Sequence, residues 1–277
     1  KTALPAIRTY AVALARGQDA AGIWGHRLIS ETRNGRLPGY AHINQPSLSC
    51  YLGMLLAREC GVDDPVVNDA IGRTHRFIAS YINKGTLPYG VRGPKTKTFN
   101  NNGSSASAAV AMKMLGNDAG AKFFSQQCAA SYETMERGHA AHYFNPFWTP
   151  LGVHVGGPEL WRQFDPRANW IYTLYRTWDG SSGFEDRDLG EGCNITMQLL
   201  AHTMPRRALY ITGKKPNKAY WADTATVEQA IHASQIDYKS LDADGLIALF
   251  DHPAPQVRIP AYWTLRERGT GFIPRLM

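Results

Sequence analysis

The sequence predicts an all-α protein made of helical hairpins, and three observations carry that prediction. Alternating apolar and polar residues, the mark of a half-buried strand, are almost absent along the 277 residues. An opening built around asparagine recurs at Asn44, Asn102, Asn145 and Asn194, roughly every 50 residues. Each opening leads into a helix of small and aliphatic side chains, and the first three are followed by a second, amphipathic helix.

Taken in order, the chain begins within a helical pattern at Leu4, Ile7, Tyr10, Ala11 and Leu14. The stretch "GRLPGYAHINQPSLSCYLGMLLAREC" (35–60) passes from a Gly-Pro-aromatic turn to Asn44 and a small-residue helix. Pro65 then opens a polar helix over 65–83, because proline suits a first helical turn. "GTLPYGVRGPKTKTFNNNGSSASAAVAMKMLG" (85–116) repeats this grammar with a longer loop. There Asn102, Gly103 and Ser104 suit a helix N-cap, where polar groups satisfy the first free backbone N–H groups. From Ser104 to Leu115 the side chains mark no charged or bulky face, so this helix is expected to be enclosed on several sides. A polar helix over 118–137 follows. "HAAHYFNPFWTPLGVHVGG" (139–157) opens at Asn145 and leads to a helix over 158–177 behind Pro158. "WDGSSGFEDRDLGEGCNITMQLLAH" (178–202) opens at Asn194. About six such hairpins would form either an open superhelical stack or a closed ring with the small-residue helices inside. The turns "GIWG" (22–25), "LPGY" (37–40), "LPYG" (87–90) and "WDGSSGF" (178–184) bring an aromatic to each junction and favour closure.

Composition bounds the function. Hydrophobic residues make up 44% and charged residues 19%, which fits a folded chain with a sizeable core. No apolar run approaches the roughly 18 residues of a transmembrane helix. The chain opens inside a helix without a visible leader, so a domain of a longer parent chain with further domains is expected. A periplasmic or secreted precursor is one expectation, and the residues leave the compartment open. The net charge of +7 suits an anionic partner. Its basic residues are scattered, however, as in Lys95 and Lys97, Arg206 and Arg207, Lys214 and Lys215, which argues against nucleic acid. Cys50, Cys60, Cys128 and Cys193 form no C-x-x-C pair; they read as buried thiols, with one disulfide left open.

The aromatic-glycine turns followed by small-residue helices resemble the α/α toroid of the terpenoid cyclase and protein prenyltransferase superfamily. "GIWGHR", "NQPSLS", "HYFNPFWTPLGV" and "RTWDGSSGF" look closest to an uncharacterised bacterial branch of it, often carried behind a PDZ domain. The resemblance covers residues 1–215 and implies an α/α-toroid domain there. "LIALFDHPAPQVRIPAYWTLRERG" (246–269) resembles a HEAT-type repeat, which makes 216–277 a C-terminal helical segment with "TGKKPNKAYW" (212–221) as the junction.

The superfamily's known chemistries find no match. Its Asp-x-Asp-Asp acid motif has only "VDDP" (62–65) and "LDADG" (241–245) as near strings, and both are misplaced. The Asp-x-Cys zinc pair is missing, since Glu191 stands two residues before Cys193. An isoprenoid-type cyclase or transferase relative is therefore an alternative rather than the main expectation. The same ring also hosts carbohydrate-active enzymes. The chain holds 7 Trp and 13 Tyr, and Trp24, Tyr40, Tyr89, Tyr143, Trp148 and Trp178 fall in the expected turns. Aromatic faces and asparagine amides together match the C–H faces and hydroxyls of a sugar.

"GHAAHYFNPFW" (138–148) is the densest chemical stretch. In a lyase on a uronate polysaccharide, Tyr143 or His142 would remove the proton beside the carboxylate. Asn145 and Asn102, helped by Arg92, would neutralise that carboxylate and stabilise the enediolate. Asn44, Tyr89, Trp148, Trp178, Asp179 and Asn194 complete the expected substrate-binding set, with the asparagines converging on one hollow. A hydrolase needs two facing carboxylates; Asp179 with Glu185, Asp186 or Glu191 offers one side without an opposite partner. His139 and His142 lack a neighbouring acid, so neither a metal nor a cofactor is expected. Each asparagine is equally consistent with a helix cap, and each aromatic with hairpin packing, in which case the chain is a non-catalytic carbohydrate- or protein-binding module.

Overall fold

The computed structural model describes residues 3–29, 44–90, 93–99, 103–136, 144–180, 190–204 and 224–269, with backbone alone at 190–195, 197 and 224. Among them are eleven α-helices and no strand; Thr86 and Lys95 form an isolated antiparallel bridge. The protein is all-α.

The helices begin where local chemistry supplies a start. Those before the third hairpin are α1 (Leu4–Arg16), α2 (Asn44–Glu59), α3 (Pro65–Ala79), α4 (Ser104–Leu115) and α5 (Asp118–Ala129). They are followed by α6 (Phe144–Val155), α7 (Pro158–Leu174), α8 (Gly190–Thr203), α9 (Thr224–His232), α10 (Ala243–Ala248) and α11 (Pro255–Glu267). Asp64 caps α3 by accepting the Val66 N–H, and Asn117 caps α5 by accepting the Gly120 N–H. Pro65, Pro158 and Pro255 each occupy a first turn, where the missing N–H costs nothing. The ends of α3, α5 and α7 fall short of the expected 83, 137 and 177. Tyr132–Thr134 forms a separate 3₁₀ turn after α5. The opening at Asn194 is corrected too: α8 already starts at Gly190, so Asn194 lies one turn inside it.

Packing sorts these helices into two layers. The small-residue helices α2, α4, α6 and α8 are neighbours in succession. Behind them, α3 packs on α2, α5 on α4 and α6, and α7 on α6, while α1 covers α2 and α3 and α9 covers α5 and α7. Helix α4 sits in the middle, and every side chain from Ser104 to Met112 is buried. Its small residues permit this enclosure. At Gly152 of α6, an added Cβ would lie 2.6 Å from the Ala106 Cα, so the two backbones nearly touch. One apolar core joins α1 to α5, with Trp24, Tyr51, Leu48 and Phe124 fully buried. A second joins Cys128 and Val153 to α7 and α9 through Trp161, Phe164 and Val227. Each such large side chain contributes about 1.5–3 kcal/mol on burial. Trp24, expected in a turn, is part of the core: its indole donates to the Leu14 carbonyl and its backbone N–H to Ser47.

The C-terminal hairpin, α10 and α11 around the 3₁₀ turn Leu249–Asp251, is anchored to the layers. The Gln256 amide donates to Gln127 Oε1 at 2.7 Å, to the Lys95 carbonyl at 3.1 Å and to the Thr98 carbonyl at 3.3 Å. Phe99, Ala130, Ala233, Ala254 and Val257 close an apolar seam beneath it. The expected junction at 212–221 lies outside the described residues.

Candidate functional site

The starts of α2, α4 and α6 are stitched into one edge. The Asn44 N–H donates to the Tyr89 carbonyl at 2.9 Å, and its side-chain amide donates to the Pro88 carbonyl at 2.8 Å and the Gly90 carbonyl at 3.3 Å. The same loop reaches α4, where the Leu87 N–H donates to Ser105 Oγ at 3.4 Å. From α4 the link continues to α6, since the Gly103 N–H donates to Asn145 Oδ1 at 2.5 Å. Gly103 holds φ at +74°, and a Cβ there would lie 2.4 Å from the Phe144 carbonyl oxygen, so only glycine fits. Three helix N-termini, each carrying partial positive charge, thus share one edge.

Asn44 and Asn145, expected to meet substrate, are 0% and 1% exposed and bind backbone groups. Around them, Gln45 Nε2, Ser104 Oγ and Thr149 Oγ1 are buried without a hydrogen-bond partner. Tyr89 is partly exposed beside this edge. Trp148 lies in a partly exposed stripe of α6 with Phe144, Phe147, Leu151 and His154, spaced three and four residues apart as one helical face. The Phe147 and Trp148 rings meet edge to face, with centroids 5.1 Å apart.

Trp178 is 99% exposed, and Asp179 accepts the Thr177 hydroxyl at 2.5 Å, in the turn after α7. They are not drawn into the stitched edge. Asn194 has a described backbone only. His142, Tyr143, Arg92 and Asn102 lie outside the described residues, as do His139 and Tyr40.

One polar group escapes the sequence analysis. Burial raises the Asp165 carboxyl above its usual range, and nearby His202 partly offsets this. Tyr172, whose hydroxyl donates to the Pro146 carbonyl at 2.9 Å, stacks edge to face on His202 at 5.9 Å. Asp165 and Tyr172 stand seven residues apart on one face of α7, and that spacing was the available signal.

Among the described residues no three His, Cys, Asp or Glu side chains gather to hold a metal ion. Cys50, Cys60 and Cys128 are free thiols; burial pushes Cys50 up to about 11 and raises Cys128 as well, which leaves both protonated and unreactive. No described helix is long and apolar enough to cross a membrane.

No curated protein and no solved structure matches the chain. Residues 1–213 match a family described as "Domain of unknown function (DUF6288)". That match takes in well over half of the 277 residues, so the chain belongs to this family.

Proposed function

We propose that the hairpins close into an α/α toroid and that the protein is a carbohydrate-active enzyme, a lyase on an anionic polysaccharide ahead of a hydrolase. The observation that carries this reading is the single edge at which α2, α4 and α6 begin. Their aligned N-termini favour a negative charge there, and the net charge of +7 acts in the same direction at longer range. The α6 stripe with Phe147 and Trp148 supplies aromatic faces for sugar rings.

In this reading His142 or Tyr143, directly before α6, takes the proton from the carbon next to the uronate carboxylate. The electron pair forms a carbon–carbon double bond as the neighbouring glycosidic C–O bond breaks, and the departing oxygen takes up a proton. Asn102 and Arg92 neutralise the carboxylate meanwhile. Asn145, with its Oδ1 committed to Gly103, acts by holding the two helix starts together.

The test is a screen of the purified protein against anionic polysaccharides, read by ultraviolet absorbance of the unsaturated product. Cleavage lost in both His142→Ala and Tyr143→Phe supports the assignment. The absence of cleavage across the panel overturns the enzyme. A non-catalytic binding module is the second reading, favoured by the engagement of Asn44 and Asn145 with backbone. It predicts retention on a polysaccharide column without product.

A further inference from the structure

A small cleft lies where α11 begins, between the C-terminal hairpin and the helical layers. Phe99, Phe123, Gln126, Gln127, Ala230 and His252 are among the residues that line it. His252 is 6% exposed. Its Nδ1 accepts the N–H of Ala254, the residue that caps α11, at 3.0 Å. An acceptor at Nδ1 fixes the neutral ring with its hydrogen on Nε2. That atom is buried and completes no hydrogen bond, although the backbone of Gln229 in α9 interacts with the ring and favours its protonated form. The backbone of the same segment carries the hairpin's second anchor. Arg258 donates to the His252 carbonyl at 2.5 Å and the Pro253 carbonyl at 2.9 Å, and reaches across to the Asn83 carbonyl at 3.1 Å.

We propose that His252 is a proton-operated clasp: neutral, it holds the start of α11 and with it the C-terminal hairpin against α5 and the 93–99 segment; protonated, it lets the hairpin go. A proton on Nδ1 replaces the acceptor with a second donor facing the Ala254 N–H, and the bond that fixes the cap is lost. No carboxylate lines the cleft to compensate, and the backbone of Gln229 and Ala254 offsets the burial of the ring only in part. From α11 the nearby charge is Arg258, a cation. Lys95 and Lys97 are the ionisable groups of the 93–99 segment. From α5, Phe123, Gln126 and Gln127 line the cleft with the ring, while Asp118 and Lys122 of that helix are exposed. Ala230 of α9 and Ala233 just after it line the cleft as well, with Glu228 and His232 exposed, and the ring's own neighbour Asp251 is exposed too. Burial holds His252 below the ordinary value of 6.5, against a partial offset from the Gln229 and Ala254 backbone and with a smaller contribution from Arg258. The docked ring therefore stays neutral until the medium turns acid, and release then gains up to about tenfold per pH unit.

The test is hydrogen exchange of the full chain across about pH 7 to 5, corrected for intrinsic rates, followed over α10 and α11. The wild-type hairpin should lose protection on acidification before α4 does. His252→Asn is the decisive variant, because an asparagine Oδ1 accepts the N–H two residues on without titrating. Its hairpin should remain protected throughout, and His252→Ala should be unprotected even at neutral pH. Loss of protection in His252→Asn in step with the wild type would overturn the clasp, as would a wild-type hairpin unchanged by acid. Imidazole nitrogen shifts of the wild type give a check independent of any variant: the His252 titration and the α11 amide shifts must share one midpoint, and separate midpoints refute the coupling.

Discussion

At Asn145 one side chain determines how two helices begin, since its Oδ1 takes the N–H of Gly103 while its own backbone opens α6. Asn145→Ala strands a buried donor and should cost about 1–3 kcal/mol in urea unfolding, and Asn145→Asp should destabilise too, because it keeps the acceptor for Gly103 but loses the donor to the Thr134 carbonyl and buries a carboxylate. In sequence, an asparagine that caps and one that binds a sugar read alike; burial and partner separate them, and neither is written in residue type. His75 shows the same dependence on surroundings. The Tyr51 hydroxyl stands 3.4 Å from its Nδ1, and the Asn117 amide nitrogen 3.4 Å from its Nε2. Because Asn117 Oδ1 is held by the Gly120 N–H, the amide cannot turn, and Nε2 must remain an acceptor. Burial first, then Arg76, lower the His75 pKa below 6.5. With the folded value depressed, the unfolded chain takes up the proton first as pH falls, so stability present above 6.5 is lost below it. Thermal melts between about pH 7 and 5 should show that loss, and His75→Gln should flatten its share of the curve.

Among elements, the α4–α6 contact is the tightest to test. In Gly152→Ala the new methyl would meet the Ala106 Cα and Cβ at 2.6 and 2.7 Å and Cys128 Sγ at 3.0 Å, with helical backbone on the far side unable to yield. A loss of about 1–3 kcal/mol is expected by chemical denaturation. Gly53→Ala on α2 is the control. There the nearest atom is 3.6 Å away at Leu14, an ordinary contact, so the better helix former should leave stability equal or raised by up to about 1 kcal/mol. Helix starts were legible in the sequence at Pro65, Ser104, Asp118 and Pro158 because capping and first-turn chemistry is local. The ends of α3, α5 and α7 were less so, since a polar periodic pattern runs on after the hydrogen-bond ladder has stopped. The start of α8 was misjudged for the opposite reason: Gly190 and Gly192 look like loop, yet the helix accommodates them.

For the whole molecule, the all-α class and the alternation of enclosed and amphipathic helices follow from hydrophobic period and residue size, and both were legible. The attachment of the C-terminal hairpin was not, because Gln256 finds Gln127, Lys95 and Thr98 across more than a hundred residues, and no local pattern encodes such a meeting. Removing residues 236–277 should uncover Phe99 and Ala130, lower the melting temperature and raise binding of a hydrophobic dye. A truncated chain as stable and as dye-free as the whole would show that the hairpin is dispensable. The same attachment sets an order of events on the ribosome. The 93–99 segment and Gln127 emerge early, but the Gln256 amide that joins the Lys95 and Thr98 carbonyls to Gln127 Oε1 arrives only when residue 256 leaves the exit tunnel. Until then the nascent chain must carry Phe99 and the Gln127 amide uncovered, and that interval is when these groups most need a chaperone.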